Sequence, residues 1–277
     1  MQTAREEKWS RLLSLLREMK LAVVAFSGGV DSSLLLSAAA EAMGPNLIAV
    51  TAQSGTYPPG EIEIARDIAR LLGVRHRILS TDELANEDFA RNPPDRCYFC
   101  KQELFAKLKR IADQEGIAFI LDGTNADDLA DHRPGRKAAA EYGVRSPLAE
   151  AGLTKAEVRD LARERNMPVW DKPSLACLTS RIPYGTRITT EMLRTVHDAE
   201  SVLRALGFRQ VRVRHHGDTA RIELERGEFA KLVGNGLLEG ITRSIKELGF
   251  TYVCLDLEGY RTGSMNKSLK VWRKKDS

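Results

Sequence analysis

The chain has 277 residues, of which 43% are hydrophobic and 29% charged, with a formal net charge of +4 at pH 7. This length supports one large or two modest domains, and the mild charge fits an anionic small molecule as well as a nucleic acid. No apolar stretch is long enough to span a bilayer, the N-terminus lacks a signal peptide's apolar block, and four cysteines are too few for a disulfide scaffold. We therefore expect a cytoplasmic protein that does not associate with membranes.

Strand and helix patterns alternate along the first part of the chain. After an amphipathic N-terminal helix, apolar strands are predicted at 21–26, 46–52, 74–80 and 117–123, with helices at 32–43, 59–73 and 101–115 between them. This order predicts a doubly wound α/β fold, whose parallel sheet binds ligands at the carboxyl ends of its strands. A capping box from Thr154 to Glu157 begins a further helix that extends to about Asn166.

The character of the sequence changes after this helix. The segment 166–186 contains three prolines and no clear periodicity, which is typical of a functional loop. Beyond it, a helix, a hairpin, further helices and the strand "TYVCLDL" predict a smaller α+β domain. The expected organisation is a nucleotide-binding domain at 1–170, an active-site loop and linker at 171–187, and a C-terminal domain at 188–277.

A glycine loop, "SGGVDSS", follows the first predicted strand. Glycines let the backbone approach an anion, successive amides point inward, and the dipole of the following helix adds positive charge. The loop fits neither a Walker A motif nor G-x-G-x-x-G. It resembles the PP-loop of the ATP pyrophosphatases, which implies that ATP binds here. Asp31 would then lie near Mg²⁺, and Ser27, Ser32 and Ser33 would donate hydrogen bonds to phosphate.

Other residues are expected at the same site because they end predicted strands or flank the loop. They are Ala25, Phe26, Gly28, Gly29, Gln53, Asp122, Gly123 and Thr124. Lys101 and Arg133 are single cations that could neutralise phosphate charge during the reaction. For both of them an ordinary salt bridge is an equal alternative.

Three cysteines are candidates for a metal cluster. Cys97 and Cys100 form a C-x-x-C motif that opens a helix, and Cys177 lies in the proline-containing segment. Zinc would need a fourth Cys or His ligand, whereas three thiolates suit a [4Fe–4S] cluster whose open iron can carry a hydrosulfide. A redox pair and ordinary buried cysteines are the alternatives. Cys254, by its alternation with apolar residues, is expected to pack in the core.

The glycine loop, "LDGTNADD", "SRIPYG" and "VRVRHH…ARIEL" together resemble the LarE family of ATP-dependent sulfur transferases, which serve synthesis of the nickel-pincer nucleotide cofactor of lactate racemase. The resemblance implies adenylation of a carboxylate of pyridinium-3,5-biscarboxylic acid mononucleotide, release of pyrophosphate, and sulfur insertion to give a thiocarboxylate. Some members sacrifice the sulfur of a cysteine that Cys177 matches. Others hold a [4Fe–4S] cluster with three cysteines, and Cys97, Cys100 and Cys177 match this second kind.

The resemblance also adds residues to the C-terminal domain. Arg212 and Arg214 alternate with valines, which places them in one row on a strand, in a geometry suited to phosphate. The family implies that Ser180 and Arg181 join them in binding the substrate phosphate, although a solvated sheet face is the alternative. It further implies a divalent metal bound by Glu200, Glu223 and Glu228, a homo-oligomer, and sulfide or a persulfide as the sulfur donor.

Three further functions stay open. A PP-loop tRNA thiolase would use the same cluster and chemistry, but Lys and Arg nearly balance Asp and Glu and few aromatics lie among them, which disfavours nucleic acid. An ammonia-dependent ligase of the PP-loop group would leave the three cysteines unexplained. A nucleotide-binding regulatory module would use the fold without turnover.

Overall fold

The computed structural model describes residues 2–129, 134–173, 176–234 and 236–261. Within these ranges the α-helices are α1 (Gln2–Met19), α2 (Val30–Met43), α3 (Glu61–Leu71), α4 (Glu87–Ala90), α5 (Arg96–Gln114), α6 (Gly135–Glu141), α7 (Pro147–Glu150), α8 (Lys155–Glu164), α9 (Thr190–Ala205), α10 (Phe229–Gly234) and α11 (Leu237–Glu247). The strands are β1 (Ala22–Ala25), β2 (Leu47–Gln53), β3 (Arg75–Ser80), β4 (Phe119–Leu121), β5 (Val211–His216), β6 (Thr219–Leu224) and β7 (Tyr252–Leu255). Short 3₁₀ helices span Glu83–Ala85, Asp127–Leu129, Leu178–Arg181 and Arg226–Glu228.

The first sheet is parallel, with strand order β3-β2-β1-β4. In β1, Ala22 and Val24 join a hydrophobic cluster with residues of α1, α2, α3 and α8, whereas Val23 joins another with residues of α5 and α6. Because successive side chains of a strand point to opposite faces, helices cover both faces of this sheet. The predicted doubly wound α/β fold is confirmed, and all four predicted strands are present.

Local sequence signals explain where several helices begin. At the start of α8, Thr154 and Glu157 form the predicted capping box, in which each side chain accepts from the backbone amide of the other. Leu12 and Leu16 of α1 lie one turn apart and are fully buried, as expected for an amphipathic helix. α2 begins two residues before the predicted start, which places Asp31 in its first turn.

The second sheet has the order β5-β6-β7, with β5 and β6 antiparallel and β6 and β7 parallel. Val211 pairs with Leu224 and Val213 with Ile222, and all four are buried in one cluster with residues of α9, α10 and α11. The smaller C-terminal α+β fold is therefore confirmed.

The expectation that Cys254 packs in the core is wrong. Cys254 pairs with Arg221 and is exposed, whereas its neighbours Val253 and Leu255 pack against the C-terminal core. An alternating strand can present either set of residues to the core, and a shift of one residue exchanges the two faces. In β7, Val253 and Leu255 face the core, so Cys254 between them faces outward.

The chain forms two compact units, Met1–Glu83 with Asp95–Leu175, and Leu84–Pro94 with Ala176–Ser277. The parallel sheet belongs to the first unit and the β5-β6-β7 sheet to the second. The sequence-based domain boundaries, 1–170, 171–187 and 188–277, stay a prediction, because compactness alone does not test independent folding. Among the described residues, we find no helix with the length and hydrophobicity required to cross a bilayer.

Candidate functional site

The glycine loop leaves the sheet directly after β1. The Phe26 amide still donates to the Val50 carbonyl at 2.9 Å, and the chain then turns at Gly28, whose φ is +70°. A Cβ atom at Gly28 would lie 3.3 Å from the Cβ of Ala65 in α3. The positive φ angle favours glycine at this position, and the tight approach of α3 adds a second, smaller reason for it.

Hydroxyl groups link the loop to the start of α2. The Oγ atoms of Ser27 and Ser32 are 3.0 Å apart, and the Ser32 hydroxyl donates to the Gly29 carbonyl at 3.2 Å. The first amides of any helix have no acceptor within it, so this end of α2 is suited to an anion. Ser33 differs because it is fully buried and its hydroxyl has no partner among the described residues. Its predicted bond to phosphate stays a prediction.

The end of β4 approaches this loop closely. A Cβ atom at Gly123 would lie 2.9 Å from the amide nitrogen of Ser32, which is too short for real contacts. The preceding Asp122 carboxylate accepts from the amide and hydroxyl of Thr124 and, at 2.7 Å, from the Ser146 hydroxyl. This network fixes the backbone on which Gly123 depends. The residues that follow β1 and β4 therefore lie close together at one edge of the sheet, as the sequence predicted. Gln53 is the exposed last residue of β2.

Asp31 has partners that the sequence analysis did not identify. Its carboxylate forms an ion pair with Lys155 and accepts from the Asn125 side-chain amide at 3.2 Å. Lys172 lies on another side of the loop, 3.4 Å from the Gly28 carbonyl and 2.8 Å from a Glu61 carboxylate oxygen. One sequence signal could have revealed them: residues 21–65 contain no Lys, Arg or His, so cations for this loop must come from elsewhere.

Cys97 and Cys100 are the second and fifth residues of α5, three residues apart and so on one helix face. Both are thiols; Cys97 is exposed, and the Cys100 sulfur is 4.0 Å from a carboxylate oxygen of buried Glu83. A helix N-terminus favours the thiolate form that binds metals. In the same helix, the ammonium group of Lys101 is 5.3 Å from the centre of the Phe105 ring. Arg133, the other predicted cation, lies outside the described residues.

Cys177 belongs to the second unit and immediately precedes the 3₁₀ helix Leu178–Arg181. Its sulfur is 2.9 Å from the Thr179 hydroxyl, and its carbonyl accepts from the Arg181 guanidinium at 3.1 Å. The same nitrogen of Arg181 donates to the Ala176 carbonyl at 2.7 Å. Arg181 thereby fixes the two peptide groups on either side of the Cys177 Cα atom.

The predicted phosphate-binding arginines meet the predicted metal ligands in the second unit. We call Arg181, Arg212, Arg214, Glu200 and Glu223 the arginine cluster; all five are buried. Arg181 donates to both carboxylate oxygens of Glu200 at 2.7 and 2.9 Å, and Arg214 does the same to Glu223 at 2.9 and 2.7 Å. Arg214 also donates to the Ser180 carbonyl at 2.7 Å. The face of the hairpin that carries these arginines is therefore covered rather than solvated.

Charge and burial oppose one another in the arginine cluster. Burial alone would raise the pKa of Glu200, but the hydrogen bonds and charge of Arg181 outweigh it and lower the pKa below its ordinary value. Burial first, and then the positive charge of Arg181, lower the pKa of Arg212 to about 10. The Arg212 guanidinium also lies 5.3 Å from the centre of the Tyr260 ring. Crowded guanidinium groups of this kind are stabilised by an additional anion.

The predicted divalent-metal ligands have other partners in this arrangement. Guanidinium groups engage both oxygens of Glu200 and of Glu223, so a cation there would have to displace an arginine. A carboxylate oxygen of Glu228 accepts from the Arg209 amide at 3.3 Å. In the part of the chain that the structure describes, no group of three or more His, Cys, Asp or Glu side chains is placed to hold a metal ion. The structure therefore gives no support for a metal at these glutamates.

Known proteins resemble the chain along most of its length. The model of the asparagine synthase family matches residues 16–211. An uncharacterised protein of Synechocystis is 44% identical over 264 residues, which cover 95% of this chain and 98% of that protein. The pyridinium-3,5-bisthiocarboxylic acid mononucleotide synthase of Lactiplantibacillus plantarum is 41% identical over 266 residues, which cover 95% of each chain. The chain belongs to the LarE family.

Membership in the LarE family, together with the PP-loop domain, makes the chain an ATP-using sulfurtransferase. A tRNA-specific 2-thiouridylase of Xanthobacter autotrophicus is also similar, at 32% identity over 193 residues. That match covers 54% of this chain and 48% of the thiouridylase, whereas the LarE family relatives match almost from end to end. The similarity to the thiouridylase is thus confined to part of each protein.

Gly123 lies outside the glycine loop, but replacing it should displace the start of α2, which follows the loop. We expect Gly123→Ala to lower the free energy of unfolding by about 1–3 kcal/mol, because the new methyl group must push the start of α2 away. Urea denaturation measures this change. Gly55→Ala is the matched control, since a Cβ atom there has no neighbour within 4 Å. Equal stability of the two variants would show that the close approach has no energetic consequence.

Removing the charge of Glu200 should leave a buried arginine without its carboxylate. We expect Glu200→Gln to lower the free energy of unfolding by about 3–5 kcal/mol at pH 7. Because folding lowers the pKa of Glu200, its ionised form stabilises the protein above the ordinary pKa of 4.5, and this contribution disappears as the pH falls through the lowered value. The difference between wild type and variant should therefore shrink in acid.

Urea denaturation at pH 7 and at a series of decreasing pH values below 4.5 measures this dependence. Glu164→Gln is the control, because Glu164 forms an exposed ion pair with Arg5 and should contribute less than about 1 kcal/mol. A Glu200→Gln variant as stable as this control at pH 7 would contradict the expectation.

Proposed function

We propose that the chain converts a carboxylate of pyridinium-3,5-biscarboxylic acid mononucleotide into a thiocarboxylate, in an ATP-dependent step of nickel-pincer cofactor synthesis. The observation that carries this proposal is the 41% identity, over 95% of both chains, to a pyridinium-3,5-bisthiocarboxylic acid mononucleotide synthase. The product in that name contains sulfur where the proposed substrate contains carboxylate oxygen. A glycine loop suited to ATP phosphates supports the same reaction.

The first step of the proposal is adenylation. A carboxylate oxygen of the substrate attacks the α-phosphorus of ATP, the bond from that phosphorus to the bridging oxygen breaks, and pyrophosphate leaves. The product is an acyl adenylate. The glycine loop and the first amides of α2 would hold the pyrophosphate, and Asp31 would hold Mg²⁺. Other residues proposed for ATP are Ala25, Phe26, Ser27, Gly28, Gly29, Ser32, Ser33, Gln53, Gly123 and Arg133, and Lys101 would add positive charge.

The second step is transfer of sulfur. A nucleophilic sulfur attacks the acyl carbon, the carbon–oxygen bond to AMP breaks, and AMP leaves with the bonding electron pair. This exchange needs the first step because a free carboxylate has no good leaving group. The physiological sulfur donor is proposed to be sulfide, which completes this exchange directly, or a persulfide. Attack by a persulfide gives an acyl disulfide, whose S–S bond a thiol must then reduce to release the thiocarboxylate.

Cys97, Cys100 and Cys177 are proposed to hold a [4Fe–4S] cluster. All three are thiols, and Cys97 and Cys100 lie on one face near the N-terminal end of α5, where the helix dipole and the spacing of the two residues both suit thiolate ligation. Thiolate chemistry suits such a cluster, which would supply an open iron for the incoming sulfur, but among the described residues no group of three or more His, Cys, Asp or Glu side chains is placed to hold a metal ion. The alternative within the same family is that Cys177 gives up its own sulfur.

The substrate phosphate is proposed to bind at Ser180, Arg181, Arg212 and Arg214. The burial of the three arginines and the lowered pKa of Arg212 support this choice, because an additional anion would relieve their mutual repulsion. Divalent metal at Glu200, Glu223 and Glu228, a homo-oligomeric assembly and a cytoplasmic location stay predictions from the resemblance and the composition.

The proposed reaction has a direct test. The protein is incubated with ATP, Mg²⁺, sulfide and the biscarboxylate nucleotide, and mass spectrometry follows the exchange of oxygen for sulfur. We expect Asp31→Asn to reduce substrate-dependent pyrophosphate release about a hundredfold, because the variant keeps the size of the side chain and loses its charge. Circular dichroism checks its fold. Pyrophosphate release at the wild-type rate would show that the glycine loop has another role.

The cysteines can be tested separately. After anaerobic reconstitution, we expect iron and sulfide to bind to the wild type and Cys254→Ala, but not to Cys97→Ala, Cys100→Ala or Cys177→Ala. Cys254 is the matched control because it is an exposed thiol outside the proposed set. A protein without iron that makes product once and converts Cys177 to dehydroalanine would instead support the sacrificial mechanism.

A further inference from the structure

After β7 the chain turns and returns to the end of β6. We call residues 256–261 the Tyr260 turn. Its first residue, Asp256, donates its backbone amide to the Ile222 carbonyl at 2.8 Å. The Tyr260 amide donates to the Leu224 carbonyl at 2.7 Å. Two backbone hydrogen bonds therefore attach the turn to β6, one on each side of its bend.

Side chains and a glycine hold the Tyr260 turn in place. The Asp256 carboxylate accepts from Arg261 at 3.4 Å and lies 3.7 Å from a guanidinium nitrogen of Arg221 in β6. A Cβ atom at Gly259, whose φ is +71°, would lie 2.8 Å from a backbone carbonyl oxygen at the end of β6. The turn thus lies closer to β6 than a residue with a side chain allows, which fixes the next residue, Tyr260.

The Tyr260 ring lies beside Arg212 of the arginine cluster. The guanidinium carbon of Arg212 is 5.3 Å from the centre of the ring, within the range of a cation–π contact. Arg212 also donates to the Val211 carbonyl at 2.7 Å. In the hairpin, Arg212 pairs with Glu223 of β6. The next residue of that strand, Leu224, accepts from the Tyr260 amide, so the backbone of the sheet brings the ring to the arginine.

An aromatic ring holds a guanidinium group differently from a carboxylate. In the arginine cluster, Arg181 and Arg214 each donate two hydrogen bonds to a glutamate, whose negative charge offsets theirs. The face of a tyrosine ring has no net charge. It therefore orients Arg212 and leaves the positive charge of the guanidinium group available to an anion. Burial adds to the demand for such an anion, because Arg212 is only 3% exposed.

We infer that Tyr260 is a positioning residue for the substrate: its ring holds the Arg212 guanidinium in the orientation that binds the phosphate of the mononucleotide. The inference rests on the proposed function, because it needs that phosphate at Arg212. Tyr260 acts through Arg212, and its hydroxyl group has no part in the contact. Removal of the ring should therefore weaken binding of the phosphate, whereas removal of the hydroxyl group alone should not.

Calorimetry with two ligands tests this inference. The first is pyridinium-3,5-biscarboxylic acid mononucleotide, and the second is the nucleoside that remains after a phosphatase removes its phosphate. We expect Tyr260→Leu to raise the Kd of the mononucleotide about fivefold, the effect of losing one cation–π contact. The Kd of the nucleoside should stay within about twofold of wild type. Tyr260→Phe keeps the ring and should bind both ligands like the wild type.

A double-mutant cycle tests whether Tyr260 acts through Arg212. In an Arg212→Met background, which already lacks the guanidinium group, Tyr260→Leu should not weaken binding of the mononucleotide further. Tyr252→Leu is the matched control, because Tyr252 lies in β7 of the same sheet and is 58% exposed. The control should bind both ligands like the wild type. Melting temperatures from circular dichroism show whether all variants are folded to the same extent.

The outcomes separate this inference from the proposed function. Wild-type affinity of Tyr260→Leu for the mononucleotide, an equal loss of affinity for the nucleoside, or the same fivefold loss without Arg212 would overturn the inference while leaving the reaction intact. An equal loss in Tyr260→Phe would assign the effect to the hydroxyl group and also overturn it. A wild-type protein that binds neither ligand and forms no thiocarboxylate would overturn the proposed function and the inference with it.

Discussion

The close approach of backbone segments around the first turn of α2 is the constraint on which the site depends. Gly28 lets α3 come within van der Waals contact of the loop, and Gly123 lets the end of β4 lie against the Ser32 amide. The contact at Gly123 leaves no space for a side chain, and the contact at Gly28 leaves little. As a result, the partial charges of the helix start lie at the edge where three parallel strands, β1, β2 and β4, end together. The ion pairs of Asp31 and Glu61 are arranged around this packed centre.

Much of the fold follows from local pattern in the sequence. Four apolar runs separated by helical periods predict a parallel sheet, and the alternation of valine and arginine predicts which face of the β5-β6 hairpin packs against the hydrophobic cluster. The buried face of a short strand is harder to predict, as Cys254 shows. In β7, which has only four residues, a single apolar neighbour is enough to decide which face is buried. The order and types of elements are therefore more predictable than the exposure of single residues.

The parts of the site that the sequence did not reveal are contacts between distant segments. Lys155 and Asp31 are 124 positions apart, and Lys172 and Glu61 are 111 apart. Surface lysines are common, so nothing local distinguishes these two from others. The burial of the arginine row was also hidden, because it depends on the elements that cover the row, α9 with Glu200 and the 3₁₀ helix with Arg181. A strand pattern shows which residues share a face, but not what covers that face.

Arg181 holds Cys177 by its main chain, through the carbonyl oxygens of Ala176 and Cys177, while its other nitrogens are fixed by Glu200. No bond of this anchor passes through the sulfur atom. The thiol can therefore be ligated, oxidised or even lost without releasing the peptide that carries it. The two proposed uses of that sulfur, as a lasting cluster ligand and as a donor that is consumed once, therefore place the same demands on the surrounding backbone.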